Sequence, residues 1–246
     1  MSEPRPSEHT PLSRGFAVAL VCFSVLLAVY IFSQSRFFTL AHIEITGAGS
    51  FTRAQILELA GVQTGVNVFH IDTGAAATRL RRQPRIADAV VSRRYPDGLV
   101  IALTERQSVG VVEIGQAPYD VDAAGRLLGP ARPDAALPVL QGEAPPADAV
   151  LAPGDILQSA GLRAAAQVAG ALSGRLALPP QKIDATDAGA VVVILHDGTR
   201  VLVGDTSSLR RKTDVLVALL QQVAELHLSI SQIDIRAPRE PVVKKR

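Results

Sequence analysis

The chain has 246 residues, a formal charge of +2 and one cysteine, Cys22. That length suits one or two domains plus extensions. So small a charge gives no electrostatic case for nucleic acid, and a lone cysteine excludes any disulfide within the chain.

Residues 1–14 are polar and carry Pro4, Pro6 and Pro11. They offer too little apolar surface to build a core, so a disordered tail is expected. Residues 15–33, GFAVALVCFSVLLAVYIFS, hold no charge. As a helix this run spans about 28 Å, near the roughly 30 Å of a bilayer's hydrocarbon core. Cys22 lies within it and reads as a small buried hydrophobe. A cleaved signal peptide would have an apolar region of about 7–15 residues and a small-x-small cleavage site. Ser33-Gln34-Ser35 matches that site poorly, so a retained anchor is expected. Arg5 and Arg14 before the span, against Arg36 close after it, orient the amino terminus inward. Tyr30, Phe32, Phe37 and Phe38 suit the outer interface.

After the span the period changes. His42-Ile43-Glu44-Ile45-Thr46 alternates and ends at Gly47, which predicts a short strand. Thr52-Arg53-Ala54-Gln55 has capping-box spacing, with Ile56, Leu57 and Ala60 as the apolar side of a helix and Gly61 as its left-handed stop. Asp72 stands as the N-cap of a second helix whose apolar side is Ala76, Ala77 and Leu80. Two strands follow, 86–94 and 99–104, joined by Tyr95-Pro96-Asp97-Gly98. Leu99, Ile101 and Leu103 alternate with Val100, Ala102 and Thr104, which puts three large apolar side chains on one face. Proline pre-sets φ at the second position of a type I turn, and Gly98 is expected at positive φ.

Beyond Arg106 the pattern is rich in strands. Residues 109–114 are apolar, and 119–128, YDVDAAGRLL, read as two short strands around Ala123-Ala124-Gly125. Surface loops punctuated by prolines carry the short piece Leu137-Pro138-Val139-Leu140. Residues 155–172 show a helical stripe of Leu157, Ala160, Ala164, Val168 and Leu172. Asp197-Gly198 sits between two apolar runs, 191–195 and 200–203, as a second hairpin. Residues 207–228 form the longest helix outside the span, with Leu216, Leu219, Leu220, Val223 and Leu226 as its buried side and Asp205 or Ser207 as its cap. The chain ends in two short strands around Ala237-Pro238.

Three blocks in the first half, FFTLAHIEITG, GVQTGVNVFHID and PRIADAVVSRRYPDGLVIALTER, resemble the membrane-proximal POTRA domain of the FtsQ/DivIB bacterial cell-division family. Ile86, where many members carry tryptophan, and Gln107-Ser108-Val109-Gly110, in place of the usual Pro-Val-Ala, depart from it. In the second half VDAAGRLL, LPVLQG, HDGTRVLVG, Arg211-Lys212 and IDIRAPREPVV fall in the order of that family's β domain. The Lys212 helix and the ending look most like its actinobacterial branch.

The resemblance implies an α+β protein. A single transmembrane helix would be followed by a POTRA domain of β-α-α-β-β order at 37–106 and a mixed β-rich domain with flanking helices at 107–246. It implies a non-enzymatic bitopic scaffold of the divisome that links early and late division proteins and helps recruit or regulate septal peptidoglycan synthesis. The implied partners are bitopic coiled-coil proteins of the FtsB/FtsL type, other divisome membrane proteins and the lipid bilayer, with no nucleic acid and no cofactor. The implied location is the plasma membrane at the division septum, with the amino terminus cytoplasmic and the carboxy terminus extracytoplasmic.

The residues themselves offer little catalytic chemistry. His9, His42, His70, His196 and His227 stand at no metal-ligand spacing, and no G-x-S-x-G, P-loop or G-x-G-x-x-G occurs. His196, Asp205 and Ser207 read better as a hairpin tip and a helix cap than as a hydrolytic set, so no catalytic or metal residue is assigned. Two binding surfaces are. Among Arg79, Arg81, Arg82, Arg85, Arg93 and Arg94, a solvated face competes with contact of Arg79, Arg82, Arg85 and Arg93 with anionic headgroups or an acidic partner. At the carboxy-terminal edge the candidates are Ile235, Arg236, Glu240, Pro241, Val242, Val243 and Lys244. Pro241 has no N–H and belongs on an edge. An edge strand carries unpaired N–H and C=O groups that an incoming strand satisfies, and the basic ending favours an acidic partner. A short strand with proline and lysine is also how an edge is blunted; the resemblance favours binding. Two rival readings are a membrane-anchored extracytoplasmic enzyme and a POTRA-type docking factor of a transport or assembly complex. No run of alternating barrel strands of about 10 residues supports an outer-membrane barrel.

Overall fold

An uncharged run with no polar face has nothing to gain from packing one side on a core. Arg14–Ser33 form one helix, α1, exposed on all sides. A helix closes its backbone hydrogen bonds within the segment, as hydrocarbon surroundings demand. Among the described residues α1 is the one helix long and apolar enough to cross a membrane. The computed structural model describes residues 14–115, 117–133, 135–143, 151–187 and 189–246, so the tail expected at 1–14 lies outside them but for Arg14. Two units emerge, Met1–Leu80 with Ala89–Leu103, and Arg81–Asp88 with Thr104–Arg246.

After α1 come β1 (His42–Thr46), α2 (Arg53–Ala60), α3 (Thr73–Arg81), β2 (Ile86–Arg94) and β3 (Gly98–Glu105). The three strands form a sheet in the order β1-β3-β2. β1 runs parallel to β3 with Ile43 opposite Leu99 and Ile45 opposite Ile101. Ile43, Leu99 and Ile101 of the sheet are buried, as are Ile56, Ala60, Ala76, Ala77 and Leu80 of the two helices. The helix ends follow the sequence. Thr52 and Gln55 make the reciprocal capping box, Gly61 closes α2 at φ 64°, and the Asp72 carboxylate accepts the Ala75 N–H at 2.9 Å.

The turn between β2 and β3 departs from expectation. The Tyr95–Pro96 bond is cis, and Gly98 is not among the residues at positive φ. Glycine is needed there for room: a Cβ would lie 2.7 Å from the Arg94 carbonyl oxygen and 3.1 Å from the Arg94 Cβ. Gly98→Val is therefore expected to destabilise by crowding, at about 1–3 kcal/mol. Thermal melting of the detergent-solubilised chain reads this as a lowered midpoint, and an unchanged midpoint would show that the Arg94 carbonyl gives way freely.

The second unit continues with β4 (Gly110–Ile114), β5 (Ala117–Val121), β6 (Leu127–Pro130), β7 (Val139–Gly142), α4 (Ala160–Leu172), β8 (Lys182–Ala185), β9 (Val191–Ile194), β10 (Arg200–Gly204), α5 (Leu209–Glu225), β11 (Ile230–Asp234) and β12 (Val242–Lys245). Nine strands make one sheet in the order β12-β11-β10-β9-β8-β7-β4-β5-β6. Its core joins Val112, Val121, Leu140, Ile183, Val193, Val201 and Ile233 of the strands to Leu162, Ala165, Val168 and Leu172 of α4 and Leu216 of α5. The alanine-rich face of α4 allows a close approach. A Cβ on Gly161 would come within 2.1 Å of the Ala185 carbonyl oxygen of β8.

Three elements differ from the sequence reading. α4 starts at Ala160 behind a Ser159 cap. Residues 155–158 are not helical: Ile156 bridges Arg126 and the Leu157 N–H donates to the Gly125 carbonyl, so Leu157 reaches the core from outside the helix. β8 has no counterpart among the elements the sequence predicts, yet it links β7 to β9. α5 stops at Glu225, which leaves Leu226 exposed rather than on the buried side.

Candidate functional site

The carboxy-terminal edge is built outward from β10. β11 lies parallel to β10, with Ile233 opposite Val201. β12 returns antiparallel on β11, with Val242 opposite Asp234, Val243 opposite Ile233 and Lys244 opposite Gln232. β12 ends the strand order, so among the described residues no strand pairs with its outer side. Pro238 and Pro241 cannot donate to a ladder, which confines β12 to four residues. The Ser231 hydroxyl meets the Lys244 and Lys245 carbonyls at 3.2 Å each, and the Arg246 N–H donates to the Ser229 carbonyl at 3.1 Å.

Of the residues assigned to this edge, Glu240, Val242, Lys244 and Arg236 are exposed, and Pro241 and Val243 are half-buried. The Arg236 guanidinium donates to both oxygens of Asp234, at 2.6 to 3.1 Å, and so holds that carboxyl below its ordinary value. Ile235 corrects the sequence reading. Its side chain is buried with Ile233, and its N–H donates to the Leu202 carbonyl, so it supports the edge from the core and shows nothing to a partner.

Beside this edge lies an apolar groove of about 450 Å³ lined by Leu176, Leu178, Pro179, Leu195, Val217 and Leu220. His196 and Asp197 line it as well. The Arg246 guanidinium, one residue past β12, donates to the Asp197 carbonyl at the β9–β10 hairpin tip that lines the groove. Its lining comes from segments far apart in sequence, and no single stretch announces it.

α5 buries a charge, Lys212, which the sequence marks as part of the family pattern without showing its burial or its partner. Lys212 is 2% exposed and one turn before Leu216 on the same stripe. Its ammonium donates to the Asp205 carbonyl at 2.9 Å and carboxylate at 2.8 Å. The Asp205 carboxylate also accepts the Ser207 hydroxyl and N–H, so it anchors Lys212 instead of capping α5. Ser208 is the N-cap, at φ 49° and with no side-chain bond. Ser207 thus points its hydroxyl at a carboxylate already engaged by lysine.

The Lys212 hydrogen bond, then those from Ser207, lower Asp205 from the ordinary 3.8 to about 2. A depressed carboxyl adds stability above its unfolded pKa and loses it as pH falls through the folded one. The wild-type and Asp205→Asn melting midpoints should therefore differ at neutral pH and converge between pH 3.8 and about 2. A gap that stays constant through that window would mean the ion pair does not supply the difference.

The arginine group is spent on its own surroundings. Arg79 donates to the Ala60 carbonyl at 2.6 Å, and Arg93 to the Val68 and Ile71 carbonyls at 3.0 and 2.6 Å. Arg81 pairs with Asp88 and Arg94 with Glu44, each at 2.9 Å. Arg85 pairs at 2.9 Å with Asp120, which is wholly buried. These bonds engage part of the donor set of Arg79, Arg85 and Arg93 in holding the fold; Arg79 and Arg82 are exposed, and Arg85 and Arg93 are half-buried. Among the described residues no three His, Cys, Asp or Glu side chains gather as a metal site.

Both units have relatives. Residues 38–106 match the family described as POTRA domain, FtsQ-type, and residues 110–236 match Cell division protein FtsQ/DivIB, C-terminal. The cell division protein FtsQ of Mycobacterium leprae is 30% identical over 245 residues, covering 95% of this chain and 66% of that protein. That of Mycobacterium tuberculosis is 30% identical over 253 residues, covering 99% of this chain and 74% of its own length. For Streptomyces coelicolor the identity is 28% over 237 residues, covering 93% and 89%. With a POTRA fold behind an apolar helix, a β-rich domain after it, and both matched in order along most of the chain, the protein belongs to the FtsQ/DivIB family of cell-division proteins.

Proposed function

We propose that this chain is a non-enzymatic, single-pass scaffold of the division machinery whose β12 edge receives a strand from a bitopic coiled-coil protein of the FtsB/FtsL type. Through that contact it links early and late division proteins and helps recruit or regulate septal peptidoglycan synthesis. α1 spans the plasma membrane with the amino terminus in the cytoplasm, on the strength of Arg5 and Arg14 before it. The observation that carries the reading is the outer side of β12, a strand end with no neighbour in the nine-stranded sheet.

Magnitudes shape what the partner must be. A strand added along β12 gains roughly two to four main-chain hydrogen bonds at a net of about 0.5–1.5 kcal/mol each. Micromolar binding needs about 8 kcal/mol, so the edge alone does not suffice. The adjoining apolar groove fits the face of an amphipathic helix and supplies the remainder. Lys244, Lys245 and Arg246 favour an acidic segment beside that helix. The test is a fluorescent fusion at the amino terminus in dividing cells. A band at midcell is expected, and an even membrane stain would contradict the reading.

A further inference from the structure

We infer that an aromatic surface seats the POTRA domain in the outer leaflet of the bilayer that α1 crosses. This rests on the membrane-spanning reading of α1 given above. The surface starts in the last turn of the span and leaves it without a break. Phe32 packs edge-on to Phe38 with centroids 5.3 Å apart, and Phe37 meets Phe38 at the same distance. Phe38 lies 5.0 Å from Phe69, and Phe69 5.3 Å from Tyr95. Phe69 comes from the loop before α3 and Tyr95 from the β2–β3 turn, so sequence separation hides the set.

All of these rings but the half-buried Phe38 remain open after the domain has folded. Phe37 is 60% exposed, Phe69 42% and Tyr95 58%. Scattered exposed apolar residues need no explanation, but a contiguous patch does. The patch is also held in place. The Asn67 side chain donates to the Ser33 carbonyl at 2.6 Å, at the end of α1. Its oxygen accepts the Phe69 N–H at 2.9 Å, which fixes the loop that presents the ring. One side chain therefore ties the end of the span to the aromatic loop. A surface continuous with a membrane span and made of aromatic rings belongs at the headgroup and acyl boundary, where such rings concentrate. Seating it there sets the domain's height and tilt above the membrane.

The test uses nitroxide labels on the full chain in vesicles of phosphatidylethanolamine and phosphatidylglycerol, with collision by a water-soluble nickel chelate as the readout. Cys22 in the natural chain reports the span. Cys22→Ser with Val66→Cys reports the aromatic loop, and Cys22→Ser with Glu58→Cys reports the exposed side of α2. We expect Cys22 to be shielded and the residue 66 label to collide severalfold less than the residue 58 label. Adding Phe69→Ser and Tyr95→Ser to each of the three labelled chains should raise collision at 66 to the level at 58 and leave the label on Cys22, in the chain that keeps it, shielded. A shielded Cys22 with equal collision at 66 and 58 in the natural aromatic background would overturn the seating and leave the span intact. An accessible Cys22 would overturn both.

Discussion

Replacing Arg85 by methionine is expected to cost the second unit about 3–5 kcal/mol, the range for breaking a buried ion pair from one side. The Asp120 carboxylate is wholly buried, and its Oδ2 accepts Arg85 at 2.9 Å and Ser108 at 3.2 Å. Its Oδ1 has no partner among the described residues. Arg132 reaches Oδ2 at 3.4 Å from an exposed position and cannot replace the shielded Arg85. Methionine keeps the apolar stem and removes the charge, so the carboxylate is left buried with a hydroxyl and a distant cation. Arg85 also loses its bond to the Pro130 carbonyl. At roughly 2–4 °C per kcal/mol for a domain of this size, the melting midpoint should fall by about 6–20 °C. Asp120→Asn in the same background should restore a good part of this, because an amide tolerates burial without a cation. A coupling well above about 0.5 kcal/mol in the double-mutant cycle is the expected sign of direct contact. A loss under about 1 kcal/mol for Arg85→Met would show that the pair is not what holds the site.

Much of the fold was legible because local signals and the final core agree. Leu99, Ile101 and Leu103 alternate and are buried on one face. Thr52, Gln55, Gly61 and Asp72 cap the helices their spacing announced. Gly198 takes the positive φ that the Asp-Gly turn called for. Where reading failed, a local pattern met a stronger distant partner. Leu157 has helical spacing to Ala160 and Ala164, but its N–H is taken by the Gly125 carbonyl. Lys182-Ile183-Asp184-Ala185 alternates over four residues only, too short to stand out until β7 and β9 flank it. At Gly98 the turn needs room and not the positive φ that Tyr-Pro-Asp-Gly suggests, because the Arg94 carbonyl overhead cannot be read from those four residues.

The candidate site was legible to a similar depth. The two strands of the ending, and the prolines that shorten the last one, were readable directly. The alternation of Ile233 and Ile235 with Asp234 and Arg236 also shows which face turns inward, so the core takes Ile235 in keeping with that pattern and against its place among the edge candidates. Lys212 had a signal, a charge on the apolar stripe four residues before Leu216. The groove, the Arg85–Asp120 pair and the Phe69–Tyr95 contact had none, because each joins residues that only the folded chain brings together.

Removal of residues 240–246 is expected to leave the chain folded and membrane-bound while abolishing capture of its division partner. The deletion takes away β12, the basic ending and the Arg246 bond that ties the strand to the groove's hairpin tip. It touches no large buried apolar side chain, and Val243, which packs on the core, is half-buried. Stability should therefore change little, whereas the added strand loses the main-chain partners that β12 supplies. Val243→Pro removes one main-chain donor from β12 and, if that N–H faces outward, should weaken capture in the same direction. Co-purification of the partner from cross-linked membranes, with the melting midpoint measured alongside, is the most direct measurement. Loss of the partner with a preserved midpoint is the predicted result. Full recovery of the partner by the truncated chain would contradict the assignment of the binding surface to this edge.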